Sequence, residues 1–185
     1  MENKINYPYL IPPRGYQRDT YPFIYRIKRA LLAYEMGTGK TKIALDFIGA
    51  LLFHKKIAQA LVVAPLRVLD VWESEIEKNW PQGLTYFVLR PDTEDKPWKN
   101  SQLILTNYDF MRTRTTELMQ WGADVIVLDE SHKIKNPYAK QAKAAHKLGN
   151  TCRFAICLSG TPIGNHPLDR ALPKNRNRDV ILIVR

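Results

Sequence analysis

Two short stretches carry residues whose types and spacing could do chemistry. The first is "EMGTGKT" (35–41), which sits directly behind the apolar run "ALLAY" (30–34). Glycine weakens a strand and starts a helix badly, so Gly37 and Gly39 mark a place where bare backbone is needed. A buried strand feeding a glycine loop and then a helix is an anion site by construction. The first helical amides have no acceptor and point outward, and the helix macrodipole adds positive potential there. Met36, Gly37, Thr38 and Gly39 would wrap their main chain around phosphate oxygens without a Cβ in the way. Lys40 would reach the β- and γ-phosphates of a nucleotide, and the Thr41 hydroxyl would face Mg²⁺. The strict pattern G-x-x-x-x-G-K-[ST] begins with glycine where this chain has Tyr34. The match is therefore the second half of the pattern with its strand and helix context. A glycine turn followed by a chance Lys-Thr pair would carry the same letters.

The second stretch, "VIVLDESH" (125–132), supplies acids. Four apolar residues place Asp129 and Glu130 at the carboxyl end of a buried strand, where ligands bind in open α/β sheets. Asp129 would hold Mg²⁺ through its water shell, and Glu130 would orient or deprotonate an attacking water. Two adjacent carboxylates repel one another, so a nearby cation makes sense of them. The competing reading is a helix start with helpful acids and a capping Ser131.

The elements that must position these residues follow from periodicity. Strands are predicted at 30–34, 60–64, 84–89, 102–106, 124–129 and 154–159, and helices at about 40–53, 68–79, 107–119 and 137–148. Several strand runs are apolar at every position, which marks strands covered on both faces, as in a parallel sheet. The alternation of strand and helix predicts an open three-layer α/β domain with a mostly parallel central sheet. From residue 170 the chain has little helical or strand logic until "VILIV" (180–184), so 170–185 is expected to be a basic tail or an interrupted continuation.

Charge and composition narrow the partners. The 185 residues carry 28 Lys and Arg against 18 Asp and Glu, a formal net charge of +10, which favours a polyanion and most simply nucleic acid. Lys140, Lys143 and Lys147 fall on one helical face, suited to regularly spaced phosphates; a plain solvated face is the alternative. Nothing suggests base-edge readout, so binding without sequence preference is expected. Two cysteines, Cys152 and Cys157, make neither a disulfide framework nor a zinc site, and the four histidines show no metal spacing. No signal-peptide pattern and no run of membrane-spanning length occurs. An intracellular protein without a membrane partner is expected, in a bacterial or phage-infected cytoplasm rather than a nucleus.

In this order the residues resemble the first RecA-like lobe of a helicase superfamily 2 motor, of the Swi/Snf-type DNA translocase branch. "RGYQ" (14–17) resembles the adenine-recognising glutamine motif, and "EMGTGKT" resembles motif I. "LVVAPLRVLDVWESEIEKNW" (61–80) resembles motif Ia, and "ILTNYDFMR" (104–112) resembles motif Ib. "VLDESHKIKNP" (127–137) resembles motif II, and "LSGTPIGN" (158–165) resembles motif III. The resemblance implies a P-loop NTPase lobe over residues 1–169, with ATP and Mg²⁺ as cofactors. It implies that Gln17 reads the adenine edge and that His132 links the nucleotide site to motif III. Ser159, Gly160 and Thr161 would couple nucleotide state to the track. Pro65, Leu66, Arg67, Thr106, Asn107 and Tyr108 would line the nucleic-acid face, most simply duplex DNA. For Arg67 and Tyr108 the competing readings are an ordinary helix start and a core aromatic; His132 could equally be a satisfied helix-start histidine. The chain departs from the family at Tyr34 and at Ser131, where glycine or alanine is commoner. It also stops before a second RecA-like lobe, which in a complete motor supplies an arginine and closes over ATP. The leading expectation is thus an ATP hydrolase coupled to movement on DNA, weak or inactive without that second lobe or a partner chain. The alternative is a truncated or split, non-hydrolysing ATP- and DNA-binding module that acts with a partner.

Overall fold

The runs read as buried strands are strands in a computed structural model of the chain, which describes residues 7–35, 37–80, 83–93, 97–134, 136–160 and 180–183. They are β1 (Arg29–Ala33), β2 (Ala60–Ala64), β3 (Tyr86–Leu89), β4 (Leu103–Asn107), β5 (Val125–Leu128) and β6 (Phe154–Ser159). A seventh, β7 (Val180–Ile183), falls in the apolar run that follows the basic stretch and pairs with β1. The sheet runs β3-β4-β2-β5-β6-β1-β7, and every pairing is parallel. The carboxyl ends of all the strands therefore lie along one edge. In the middle of the sheet Ala33 is level with Ser159, and Leu128 with Cys157.

Continuous apolarity does what the sequence reading expected: side chains alternate between two buried layers. Leu32, Val62, Leu105, Val127 and Ile156 enter one layer with Ile24, Ile43, Ile48, Trp72 and Ile76. Leu31, Val63, Ile104, Ile126 and Cys157 enter the other with Met111, Leu118, Ala145 and Leu148. The first layer is roofed by α1 (Gly15–Ile27), α2 (Lys40–Phe53) and α3 (Leu69–Asn79), and the second by α4 (Tyr108–Thr113), α5 (Thr115–Trp121) and α6 (Lys140–Thr151). Both cysteines are free and buried, and burial pushes both thiols up to about 12. No helix of the described residues is long and apolar enough to cross a membrane.

Three departures from the periodicity have local causes. The helix α1 is absent from the sequence-based expectation, because Pro22 sits inside it and removes an amide from its ladder. The predicted helix over 107–119 is two helices that meet at Arg114. There the hydroxyls of Thr113 and Thr115 donate to Phe110 O, and to Met111 O and Arg112 O, offering the backbone an alternative to a continuous ladder. The last helix starts at Lys140 rather than near 137, because Asn136 first makes a turn in which its carbonyl accepts from Ala139 N.

Ile156 is fully buried in a strand with neighbours on both sides. Ile156→Ala is expected to lower unfolding free energy by about 3 kcal/mol, read from the urea midpoint, with the circular-dichroism spectrum unchanged.

Candidate functional site

Because β5, β6 and β1 are adjacent and parallel, the segments that leave their carboxyl ends emerge side by side. These are the glycine loop after β1, the two acids after β5, and Ser159–Gly160 at the end of β6. The topology thus gathers the residues singled out from motifs I, II and III. Met36 and Thr161 lie outside the described residues.

The glycine loop has the cradle expected of it. Gly37 and Gly39 hold φ of 79° and 78°, values that L side chains adopt at a cost. A Cβ on Gly39 would also sit 2.7 Å from Gln17 Nε2. The first helical bond of α2 runs from Ile43 N to Gly39 O, so the amides of Lys40, Thr41 and Lys42 precede the ladder. No acid stands in that first turn to compete for them. The two lysines of the turn part company. Lys42 Nζ pairs with the buried Asp46 at 2.8 Å, and Tyr21 Oη donates to the same carboxylate. Lys40 Nζ instead folds back over the loop mouth and donates to Tyr34 O and Glu35 O, both at 2.9 Å. Burial pushes the Lys40 ammonium down from its ordinary value, and the carboxylates of Glu130 and Asp129 oppose that shift. The three groups therefore share one electrostatic neighbourhood.

Tyr34, which stands where the strict loop pattern has glycine, does not fill the cradle. Its ring is buried in the first core layer and its hydroxyl lies 2.6 Å from Thr20 Oγ1. Thr20 donates its own proton to Tyr16 O, so Tyr34 is the donor in that pair. The helix α1 braces the loop from the same side. Tyr16 Oη donates to Thr38 O at 2.7 Å, and Gln17 Nε2 donates to the same carbonyl at 3.4 Å. Gln17 is itself buried, and its Oε1 accepts from Arg14 N at the start of α1. Tyr16 was not singled out from the sequence; its position beside Gln17 was the available signal.

Asp129 is nearly buried and held at every polar atom. Its amide donates to Val63 O, its carbonyl accepts from Tyr108 Oη at 2.7 Å, Oδ1 accepts from Glu130 N, and Oδ2 accepts from Trp72 Nε1, the last two at 2.8 Å. Burial raises its carboxyl above the ordinary range, against the lowering effect of those donors. Glu130 follows with φ of 48°, a left-handed conformation that costs a non-glycine residue about 1 kcal/mol or more and that clusters at functional sites. His132 Nδ1 lies 3.1 Å from Glu130 Oε2, within ion-pairing reach but off the hydrogen-bond direction. Ser131 is buried, and its hydroxyl has no partner among the described residues. The acids here are two rather than three, and no group of three or more His, Cys, Asp or Glu that could hold a metal occurs among the described residues. That donor set suits a hard ion that takes one or two carboxylates and completes its shell with water and phosphate.

A cleft of about 410 Å³ opens along the same edge, lined by Pro65, Leu66, Asn107, Tyr108, Lys133 and Gln141 among others. The residues expected on a nucleic-acid face divide here. Leu66 and Arg67 are exposed in the 3₁₀ turn at Leu66–Val68, and Pro65 is buried just before it. Asn107 caps α4, its Oδ1 accepting from Asp109 N and Phe110 N. Tyr108 is a core aromatic whose hydroxyl serves Asp129. Thr106 does not reach the surface: it is fully buried, and its hydroxyl donates to Leu89 O. Lys133, Lys140, Lys143 and Lys147 are exposed and make no ion pair among the described residues.

Comparison with known proteins gives the chain its relatives. The SNF2-related domain matches residues 16–171. YwqA of Bacillus subtilis is 34% identical over 145 residues, 74% of this chain and 15% of that protein. The ISWI chromatin-remodeling complex ATPase ISW1 of Saccharomyces cerevisiae is 28% identical over 145 residues, 74% of this chain and 13% of that protein. Among solved structures, the Sulfolobus solfataricus SWI2/SNF2 ATPase core in complex with dsDNA superposes with a TM-score of 0.78 at 31% identity, covering 86% of this chain and 34% of that one. The chain thus spans about a third of that core and about a seventh of these relatives.

The folded chain binds the Asp129 proton more tightly than the unfolded chain does, so this residue's contribution to stability is present in acid. It is lost as pH rises from the ordinary carboxylate range through the raised value. Carboxyl-carbon NMR is expected to show Asp129 titrating above ~4; a midpoint at or below that value would contradict the burial argument.

Proposed function

The chain belongs to the SNF2-related domain family, and from that premise we propose that it is the ATP-binding lobe of an ATP-dependent translocase that moves on duplex DNA. The observation that carries the reading is the gathering of Lys40, Asp129 and Glu130 on one edge of the sheet, beyond the ends of β1 and β5 with only β6 between them. An ammonium, free helical amides and a pair of acids are what triphosphate hydrolysis needs from a protein that works by positioning and electrostatics.

In this reading Gly37, Thr38 and Gly39 present main-chain amides to the phosphates, with Met36 in the same loop. Lys40 leaves the carbonyls of Tyr34 and Glu35 for the phosphate oxygens. Thr41 and Asp129 would hold a magnesium ion, which would supply neutralisation of the phosphate charge. Glu130 takes a proton from water as its oxygen attacks the γ-phosphorus and the bond to the β-phosphate oxygen breaks. Gln17, whose Nε2 lies against Thr38 O, would report on the base from the rim of the loop. His132 beside Glu130, and Ser159, Gly160 and Thr161 after β6, would carry nucleotide state to the track. The track would follow the edge of the cleft, with Pro65, Leu66, Arg67, Asn107 and Lys133 facing it and Thr106 and Tyr108 supporting it from inside. The duplex assignment draws on the likeness to a solved core in complex with dsDNA, and on the lysines of α6, which make no ion pair among the described residues.

A second reading has its own support. The chain covers 34% of the solved core. In related phosphoryl-transfer sites an arginine from outside the loop is worth about 10³–10⁵ in rate. A second lobe, on this polypeptide or another, would have to supply it, and until it does the lobe binds ATP and DNA and turns over slowly.

Two substitutions test the site. Lys40→Ala is expected to abolish ATP binding in calorimetry. Glu130→Gln is expected to keep binding within about twofold while turnover falls by a factor on the order of 10² or more. Turnover unchanged in Glu130→Gln would remove Glu130 from its role.

A further inference from the structure

The geometry points to Trp72 and Tyr108 as positioning residues for Asp129, tying the walls of the cleft to the acid that would hold magnesium. This rests on the nucleotide-site reading above and concerns residues to which that reading gives no role at the phosphates.

Trp72 is fully buried on α3, and its indole N–H crosses the core to the side-chain carboxylate of the residue that follows β5. Two of the other three indoles behave differently: Trp121 donates to the carbonyl of Lys99, and Trp80 has no partner among the described residues. A fully buried indole needs only some acceptor. The acceptor here is Oδ2 of one of the two acids at the strand end. With Glu130 N on Oδ1, each oxygen has one fixed donor and keeps lone-pair capacity for a ligand. The rotamer of Asp129 is thereby set before any ion arrives. Donors behind a metal ligand orient it in just this manner, and their loss is felt as lost metal affinity.

Tyr108 completes the arrangement from the opposite layer of the core. It opens α4, lines the cleft, and donates its hydroxyl to the Asp129 carbonyl. The peptide it grips leads directly into Glu130, whose left-handed φ depends on where that peptide lies. Trp72 hangs from α3, whose preceding turn carries Leu66 on the cleft wall. A displacement of either wall therefore reaches Asp129 through one hydrogen bond. Motif III is not required for this route.

The test measures ATP binding by the full chain in two conditions, with chelator and across a magnesium titration, for the native protein, Trp72→Phe and Tyr108→Phe. In Trp72→Phe the magnesium concentration at half-effect is expected to rise about tenfold, while ATP affinity in chelator stays within twofold. Tyr108→Phe, which deletes one oxygen and keeps the ring, is expected to shift the same quantity in the same direction by less. A short DNA duplex is expected to shift the native half-effect concentration and to shift it less in either variant. An unchanged magnesium response in a variant that melts cooperatively overturns the proposal. So does an equal loss with and without magnesium, which would mean general loosening of the core. Should Trp72→Phe fail to fold, Tyr108→Phe decides the matter by the same criteria. No effect of the duplex on the native protein overturns the link to the cleft. Absence of ATP binding by the native protein would sink the nucleotide reading and this proposal together, whereas normal native binding with indifferent variants sinks the positioning role alone.

Discussion

A parallel sheet buried on both faces leaves one place for chemistry, the edge where its strands end. Everything else in this chain follows from that constraint. The faces are taken by two helical layers, and the strand interiors are apolar almost throughout. Polar groups collect where the backbone leaves the sheet. With β6 between β5 and β1, the ammonium of Lys40 and the acids at 129 and 130 arrive as neighbours although 89 residues separate the first from the second. Their attraction is set in a partly desolvated place, where the acids oppose the downward push that burial gives the Lys40 ammonium.

The same place is held open by residues that do not enter it. The helix α1 supplies the hydroxyl of Tyr16 and the amide of Gln17 to one loop carbonyl, Thr38 O. Lys42 is kept out of the cradle by a buried acid, Asp46, so that a single lysine, Lys40, is left at the mouth of the loop. Asp129 is fixed by donors from α3, α4 and its own following peptide. In each case a main-chain or charged group that could move is tied by a side chain rooted in a core layer. Rigid placement of this sort is what a site that works by electrostatics requires.

The fold was legible in the sequence to the extent that burial alone decides it. The run "ALVVA" is apolar at every position and "FAICLS" at all but its last, and both are strands at those positions. What escaped the reading was decided by hydrogen bonds that periodicity does not carry. Pro22 hid α1, and the hydroxyls of Thr113 and Thr115 divide a helix that hydrophobic spacing alone would continue. The site divides in the same way. The residues of the glycine loop and the two acids announce themselves by type and spacing. Tyr16, Thr20 and Trp72 do not, because an aromatic or a threonine beside apolar neighbours reads as core until its polar atom is seen to reach across. Thr106 shows the converse: it sits in a recognisable motif, yet its hydroxyl is spent between strands.

The hydroxyl of Tyr34 binds two distant letters of the sequence to each other. Its donor proton ends on Thr20, and Thr20 passes its own to Tyr16 O, so residues 34 and 20 form a relay sealed inside the protein. A phenylalanine at 34 would take one acceptor's partner away, and a valine at 20 would strand a phenol in oil. Within this chain the two letters therefore stand or fall as a unit, because a change at either leaves a sealed polar atom at the other with nothing to satisfy it.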